Sequence, residues 1–269
     1  MNKKMTRRDL LSMGTVAGAA AVGMGSASLA LAPAKAAEMA FPWPHQRLRP
    51  KKIADRAYTI FHTEGGCCIG AFKSIMLSLA EKLGGDYLDF PFDFSQFGAG
   101  GVALYGTLCG TLNGAAMAIA MIVPRPQYMA IIKELFTWYE KTNLPTYIPK
   151  ARMKPGVKLR LAKSKAESTI CHISVSRWVK KSGFSAWSPQ RSERCGSLAA
   201  SVAEKAVELI NDWAKGKFVL RNEMSKVAEG CLACHNTEGD RLADEPDVIS
   251  TMNCEPCHDA EQDRTIPHF

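Results

Sequence analysis

Residues 66–85 read GCCIGAFKSIMLSLAEKLGG. Ile69, Phe72, Ile75, Met76, Leu79 and Leu83 recur at three- and four-residue steps, the spacing of one helix face. A helix headed by Cys68 and ended near Gly84-Gly85 is predicted. Helix N-termini stabilise thiolates, so a cysteine there is placed for chemistry. Downstream, residues 101–122 read GVALYGTLCGTLNGAAMAIAMI. Gly106, Gly110 and Gly114 fall four apart and form a flat stripe that another helix or a cofactor can approach closely. Cys109 lies beside that stripe. Pro126 opens an amphipathic helix over 127–142. Residues 167–181 read as a helix bearing Cys171. Ser188-Pro189 is an N-cap followed by proline at the first helical position, opening a long helix through Trp213. Cys195, Leu198, Val202 and Leu209 run along one side of it. A further helix runs from Ile53, with His62 on or after its end. Every cysteine-bearing element of the body thus reads as a helix, and the expected class is all-α. Val157, Leu159 and Leu161 alternate between basic residues and read as a strand or an extended arm.

The whole composition agrees with a folded domain. The chain has 269 residues, 46% hydrophobic and 22% charged, which excludes wholesale disorder and collagen-like repeats. A chain of this length buries a core without disulfide staples. Beyond residue 40 no run of 18 strongly apolar residues occurs, so no transmembrane span is expected in the mature chain.

Two motifs near the C-terminus carry the most specific chemistry. Cys231-Leu232-Ala233-Cys234-His235 and Cys254-Glu255-Pro256-Cys257-His258 are both C-x-x-C-H, the attachment motif of c-type haem. Two thiols add to the vinyl groups of one porphyrin edge, and the adjacent histidine reaches the iron as proximal ligand. A zinc ribbon is the competing reading of the paired C-x-x-C spacing. Histidine after both pairs favours two covalent haems c, with His235 and His258 as proximal ligands. Residues 229–269 contain few large apolar side chains, so haem itself is expected to be the core of this little-structured segment.

Residues 1–36 read as an address. Lys3, Lys4, Arg7 and Arg8 precede an apolar stretch rich in Gly and Ala, and Ala34-Lys35-Ala36 offers a cleavage site. Arg7-Arg8 before Asp9-Leu10-Leu11 resembles a twin-arginine signal. The expected location is the periplasm. The net charge of +8 is unevenly spread. Residues 151–226 hold 16 Lys/Arg against 6 Asp/Glu, whereas 229–269 hold 2 Arg against 10 Asp/Glu. Export argues against nucleic acid as the partner of the basic middle. The acidic tail, haem propionates, a redox partner protein or plain solvent are the alternatives.

Five cysteines remain: Cys67, Cys68, Cys109, Cys171 and Cys195. An odd number cannot all pair, and soft thiolates also suit an iron–sulfur site. Their context is specific. Gly66-Cys67-Cys68-Ile69-Gly70-Ala71-Phe72, Cys109-Gly110-Thr111-Leu112-Asn113-Gly114-Ala115, Cys171-His172-Ile173-Ser174-Val175 and Glu193-Arg194-Cys195 resemble, in that order, the C_GCAxxG_C_C family of redox proteins. With two C-x-x-C-H motifs and an export leader, the chain from about Phe41 onward is similar to the split-Soret cytochromes c. The first motif departs from the family pattern, since GCCIGAF replaces a strict GCA-x-x-G, and either Cys67 or Cys68 can be the ligand. The resemblance implies a helical domain over 37–228 and a dihaem segment over 229–269. It implies a homodimer in which two stacked bis-histidine haems per chain receive one histidine from the partner. It further implies an iron–sulfur cluster held by Cys67 or Cys68, Cys109, Cys171 and Cys195.

Two distal iron positions then need ligands. His45, His62 and His172 are the candidates, with the penultimate His268 ranked below them and Met252 a minor alternative. Bis-histidine ligation leaves no open iron site, which favours an electron carrier over an enzyme. No nucleophile triad, phosphate loop or paired acid–base site stands at recognisable spacing. An oxidoreductase acting on a small molecule is the second reading, and a zinc-binding exported module the third.

Overall fold

The computed structural model describes residues 41–221, 226–235, 250–254 and 256. The leader with Arg7-Arg8, the end of the second haem motif (Cys257 and His258) and His268 lie outside the described residues. The chain divides into two units, Met1–Glu38 and Met39–Phe269, and all described residues belong to the second.

The described residues form seven α-helices: α1 (Pro50–Ile60), α2 (Cys67–Leu83), α3 (Gly110–Ile122), α4 (Gln127–Lys141), α5 (Cys171–Ser182), α6 (Pro189–Ala214) and α7 (Lys226–Cys234). A π-helical turn, Phe61–Gly65, follows α1, and 3-10 turns at Gly85–Tyr87 and Phe92–Gly98 follow α2. The described residues form no strand; only the isolated bridges Leu108↔Ile170 and Leu144↔Ser164 occur. The all-α expectation is met, and the alternating segment 157–161 is irregular chain.

Helix α2 is the hub. It packs against α1, α3, α6 and both 3-10 turns. Its predicted apolar face is the core face: Phe72, Ile75, Met76 and Leu79 are fully buried, while Leu83 at the frayed end is exposed. Helix α6 begins as predicted. Ser188 Oγ accepts from Arg191 N at 3.2 Å and Pro189 occupies the first turn. Its 26 residues span about 39 Å at the usual rise, and its buried side meets α1, α2, α3 and α4.

Two expectations need correction. The segment 101–109 is not helical; α3 starts only at Gly110, with Cys109 as its N-cap. Gly100, Gly101, Val102, Ala103 and Leu104 all have positive φ, so the right-handed helix cannot extend back through them. Helix α5 likewise begins at Cys171 rather than near 167, because Glu167 has φ 52°. The chain just before Cys171 instead pairs with 107–109: Cys109 N donates to Thr169 O at 2.9 Å and Cys171 N to Thr107 O at 2.7 Å.

The glycine stripe does pack closely, at Gly110 and Gly114. A Cβ at Gly114 would overlap the carbonyl oxygen of Cys68, so α2 and α3 touch backbone to backbone. Gly114→Ala is therefore expected to destabilise the protein by about 2 kcal/mol, the cost of overpacking a rigid contact. Urea unfolding should show a lowered midpoint with an unchanged slope.

Candidate metal centre

The four separated cysteine motifs converge. Cys67 is the first residue of α2, Cys109 caps α3, Cys171 opens α5 and Cys195 sits in the second turn of α6. All four line one cavity of about 170 Å³, together with Arg191 and Arg194. Cys68 is fully buried but does not line it. Successive helix residues are turned by about 100°, so one of two adjacent cysteines must face elsewhere. Cys68 packs against Gly98 instead: a Cβ added there would lie 2.6 Å from its Sγ. The absence of a side chain at Gly110 makes room for the Cys67 sulfur, which a Cβ would meet at 2.5 Å.

Burial pushes the Cys67 and Cys68 thiols up to about 12. Cys109 is the opposite case. A hydrogen bond from the Cys171 thiol is the main influence that brings Cys109 down to about 5, with Thr111 and Tyr139 assisting against desolvation. Cys171, as the donor, is raised. Thr111 Oγ1 is 3.3 Å from Cys109 Sγ, and Tyr139 Oη donates to Ser174 Oγ at 2.8 Å. Within the pair, Cys171 donates and Cys109 accepts, which favours the thiolate on Cys109.

Arg194 supplies the counter-charge. It is 1% exposed, and its Nη2 donates to Ser174 Oγ at 2.8 Å. The neighbouring Cys195 sulfur, Tyr139 and Cys109 keep it protonated in spite of burial. Its Nε is buried without a hydrogen-bond partner. Sequence reading quoted Arg194 only as part of a motif. One signal was available: Arg194 stands four residues before Leu198, on the apolar side of α6, where a charge needs a reason.

On the next face of α6 lies a buried polar network. Glu193 is fully buried. It accepts from Tyr58 Oη, from Lys154 N at 2.5 Å and from Arg152 Nη1 at 3.4 Å. His62 comes from the π-helical turn, a rare element that recurs at functional sites. Its Nε2 is 3.6 Å from Glu193 Oε2, and burial lowers its pKa.

The other histidines stand apart. His45 lies in the N-terminal arm, where Leu48 exchanges two hydrogen bonds with the Asn211 amide (3.3 and 2.9 Å). Both His45 ring nitrogens are buried without a partner, and burial lowers its pKa. Asn211 is sixteen residues beyond Cys195 on α6, or about 24 Å along the axis. His172 is exposed and is held by its backbone N, which donates to Gly106 O at 3.0 Å.

A left-handed turn covers the cavity. Gly100 and Leu104 line it, within the positive-φ run 100–104. Ala103 N donates to Phe97 O at 2.8 Å and Gly106 N to Gly100 O at 3.0 Å. Three of its residues carry side chains, each at a cost of about 1–2 kcal/mol.

The first haem motif forms a helical turn. Cys231 lies in α7 and His235 N donates to Cys231 O at 3.0 Å. Positions four apart share a helix face, so Cys231 and His235 stand on the same side. Of the second motif, Cys254 is described, with Sγ 3.8 Å from Met252 O.

Four soft thiols lining one cavity are the donor type that iron–sulfur sites use. Among the described residues no group of three His, Cys, Asp or Glu is already drawn together as around a single metal ion.

Comparison with known proteins agrees with this chemistry. Residues 70–209 match the family described as "Putative redox-active protein (C_GCAxxG_C_C)". The split-Soret cytochrome c of Desulfovibrio desulfuricans is 38% identical over 97% of this chain and 98% of its own length. A solved structure, described as a novel iron centre in the split-Soret cytochrome c from that organism, superposes with a TM-score of 0.75. It covers 81% of this chain and 90% of the solved one, at 38% identity.

Two outcomes are expected. In metal-free protein, thiolate absorbance at 240 nm should show a step as the pH falls through about 5, and that step should be absent in Cys109→Ser. Because the folded value is depressed, its contribution to stability is full above the ordinary thiol range and gone below about pH 5. Ala103→Gly should raise stability by about 1 kcal/mol in urea unfolding, since glycine adopts the left-handed conformation freely.

Proposed function

The chain belongs to the C_GCAxxG_C_C family and, within it, to the split-Soret cytochromes c; from that premise we propose that it is a periplasmic electron carrier. It holds two haems c per chain and an iron–sulfur cluster, and it works as a homodimer. The observation that carries the cluster is the ring of Cys67, Cys109, Cys171 and Cys195 around one cavity. Cys67, rather than Cys68, is the ligand from α2.

A bound cluster supplies one-electron exchange. The chain supplies the rest. Four thiols from four elements supply the donors around one cavity. Arg194 and Arg191 offset thiolate charge in a setting where water is scarce. The hydrogen bonds to Cys109 from Cys171 and Thr111 favour its ionised sulfur.

At the haems, Cys231 and Cys234 would anchor one porphyrin through His235, and Cys254 and Cys257 the other through His258. Among the distal candidates, His45 is supported best. Both of its ring nitrogens are buried without a hydrogen-bond partner, so coordination would satisfy them. His62 Nε2 is likewise buried and unpartnered, but it faces the Glu193 carboxylate at 3.6 Å, and His172 is exposed.

Oxidised and dithionite-reduced spectra of protein matured with haem test this reading. A low-spin c-type spectrum with a divided Soret band is expected, the sign of stacked six-coordinate haems. High-spin haem that responds to cyanide would instead favour an oxidoreductase acting on a small molecule. Cys67→Ser should lose non-haem iron and acid-labile sulfide while keeping its haem, and Cys68→Ser should keep both. Equal retention by the two variants would remove Cys67 from the centre.

A further inference from the structure

Residues 142–166 carry seven Lys and Arg and no Asp or Glu. The segment is largely exposed and irregular. Arg152 is its one inward-turned cation: its Nη1 donates to Ser197 Oγ at 2.6 Å and approaches Glu193 Oε2 at 3.4 Å. Arg160 and Lys163 make no ion pair among the described residues. Between them lies a concave site of about 210 Å³, walled by Pro145, Tyr147, Ile148 and Leu161 and floored by Arg152.

Like charges crowded without counter-ions repel and destabilise the compact state. An acidic surface brought against such a segment relieves that repulsion. The charges extend past the concave site to Lys150, Lys154, Lys158 and Lys165, which outreaches any small anion and suits an extended acidic surface. The location matters equally. Arg152 grips Glu193 and Ser197, while Arg194 and Cys195 of the same α6 turns line the thiol cavity. One helix, about 10 Å across, separates the basic surface from the cysteine ring.

We propose that 145–165 is the docking surface for an acidic redox protein, with Arg160 and Lys163 at its centre. A carboxylate of the partner enters the concave site, and the flanking lysines steer the approach. The contact is small and salt-sensitive, as transient electron-transfer complexes are. The nature of the partner rests on the electron-carrier reading, but the surface itself is tested without any electron transfer.

The probe is a fluorescein-labelled poly-L-glutamate of about 20 residues, titrated into full-length haem-loaded protein and read by anisotropy at low and at high salt. The natural chain should bind at low salt and release the probe at high salt. Arg160→Glu with Lys163→Glu should weaken binding about tenfold or more. Arg160→Lys with Lys163→Arg should bind as the natural chain does. Lys215→Glu with Lys217→Glu makes the same charge change just past the end of α6, about 26 Å along that helix from the Ser197 turn, and it should weaken binding less than about threefold. Equal losses from both reversals would mean diffuse charge alone, and a larger loss from the Lys215 and Lys217 pair would put docking elsewhere; either overturns the proposal. So does failure of the natural chain to bind, with new protease sensitivity at 229–269 in the Arg160/Lys163 variant, because the acidic tail would then occupy the surface. Stopped-flow reduction by an acidic ferredoxin separates the two readings. Binding without electron transfer would sink the carrier function and leave the surface standing.

Discussion

Gly110 and Gly114 allow the first turns of α2 and α3 to meet without intervening side chains. That contact fixes the Cys67 sulfur against the start of α3, one residue from Cys109. Once these two are set, the short pairing of 107–109 with 169–171 brings in Cys171, and α6 packed along α2 brings in Cys195. Each element delivers one thiol. A methyl group at Gly110 would meet both the Cys67 sulfur and a backbone carbonyl, so a backbone contact that carries no side chain governs the geometry of the thiol ring.

Charge inside the body is arranged around that centre. Glu193 and Arg194 are neighbours on α6 and both are buried, yet they do not pair with each other. Arg194 faces the thiols, whereas Glu193 is met by Tyr58, Arg152 and a backbone N–H. Buried charges persist only when each has its own partners. Placing opposite charges on adjacent faces of one helix keeps the sulfur side positive without leaving the helix with a net buried charge. Arg152 thereby ties a basic surface segment to the same helix turn.

The helices with strong periodicity could be read directly: α2, α4 and α6 stand close to where apolar spacing, Pro126 and Ser188-Pro189 put them. Cys67 and Cys68 could not be told apart, because the choice depends on which neighbour fills each side of α2, and that is tertiary information. The segment 101–109 misled for a physical reason. Its small residues at four-residue steps imitate a helix-packing stripe, while its actual backbone is left-handed, a conformation that Val102, Ala103 and Leu104 do not announce. Arg194 was visible as a charge on an apolar stripe, but its meaning required seeing the thiols beside it. His45, His62 and His172 were equal as letters. Burial, hydrogen bonding and distance along α6 now make them different.

The left-handed turn over the cavity has a consequence for how firmly the thiols are enclosed. Helices α2, α3, α5 and α6 wall the thiols with continuous hydrogen-bond ladders, and parting them would break the core. The cover is different, since three side-chain-bearing residues there hold an unfavourable backbone against a few hydrogen bonds. Lifting it releases strain that no other wall contains. Of the walls around the thiols, the 100–104 turn is therefore the one that local backbone energetics hold least firmly.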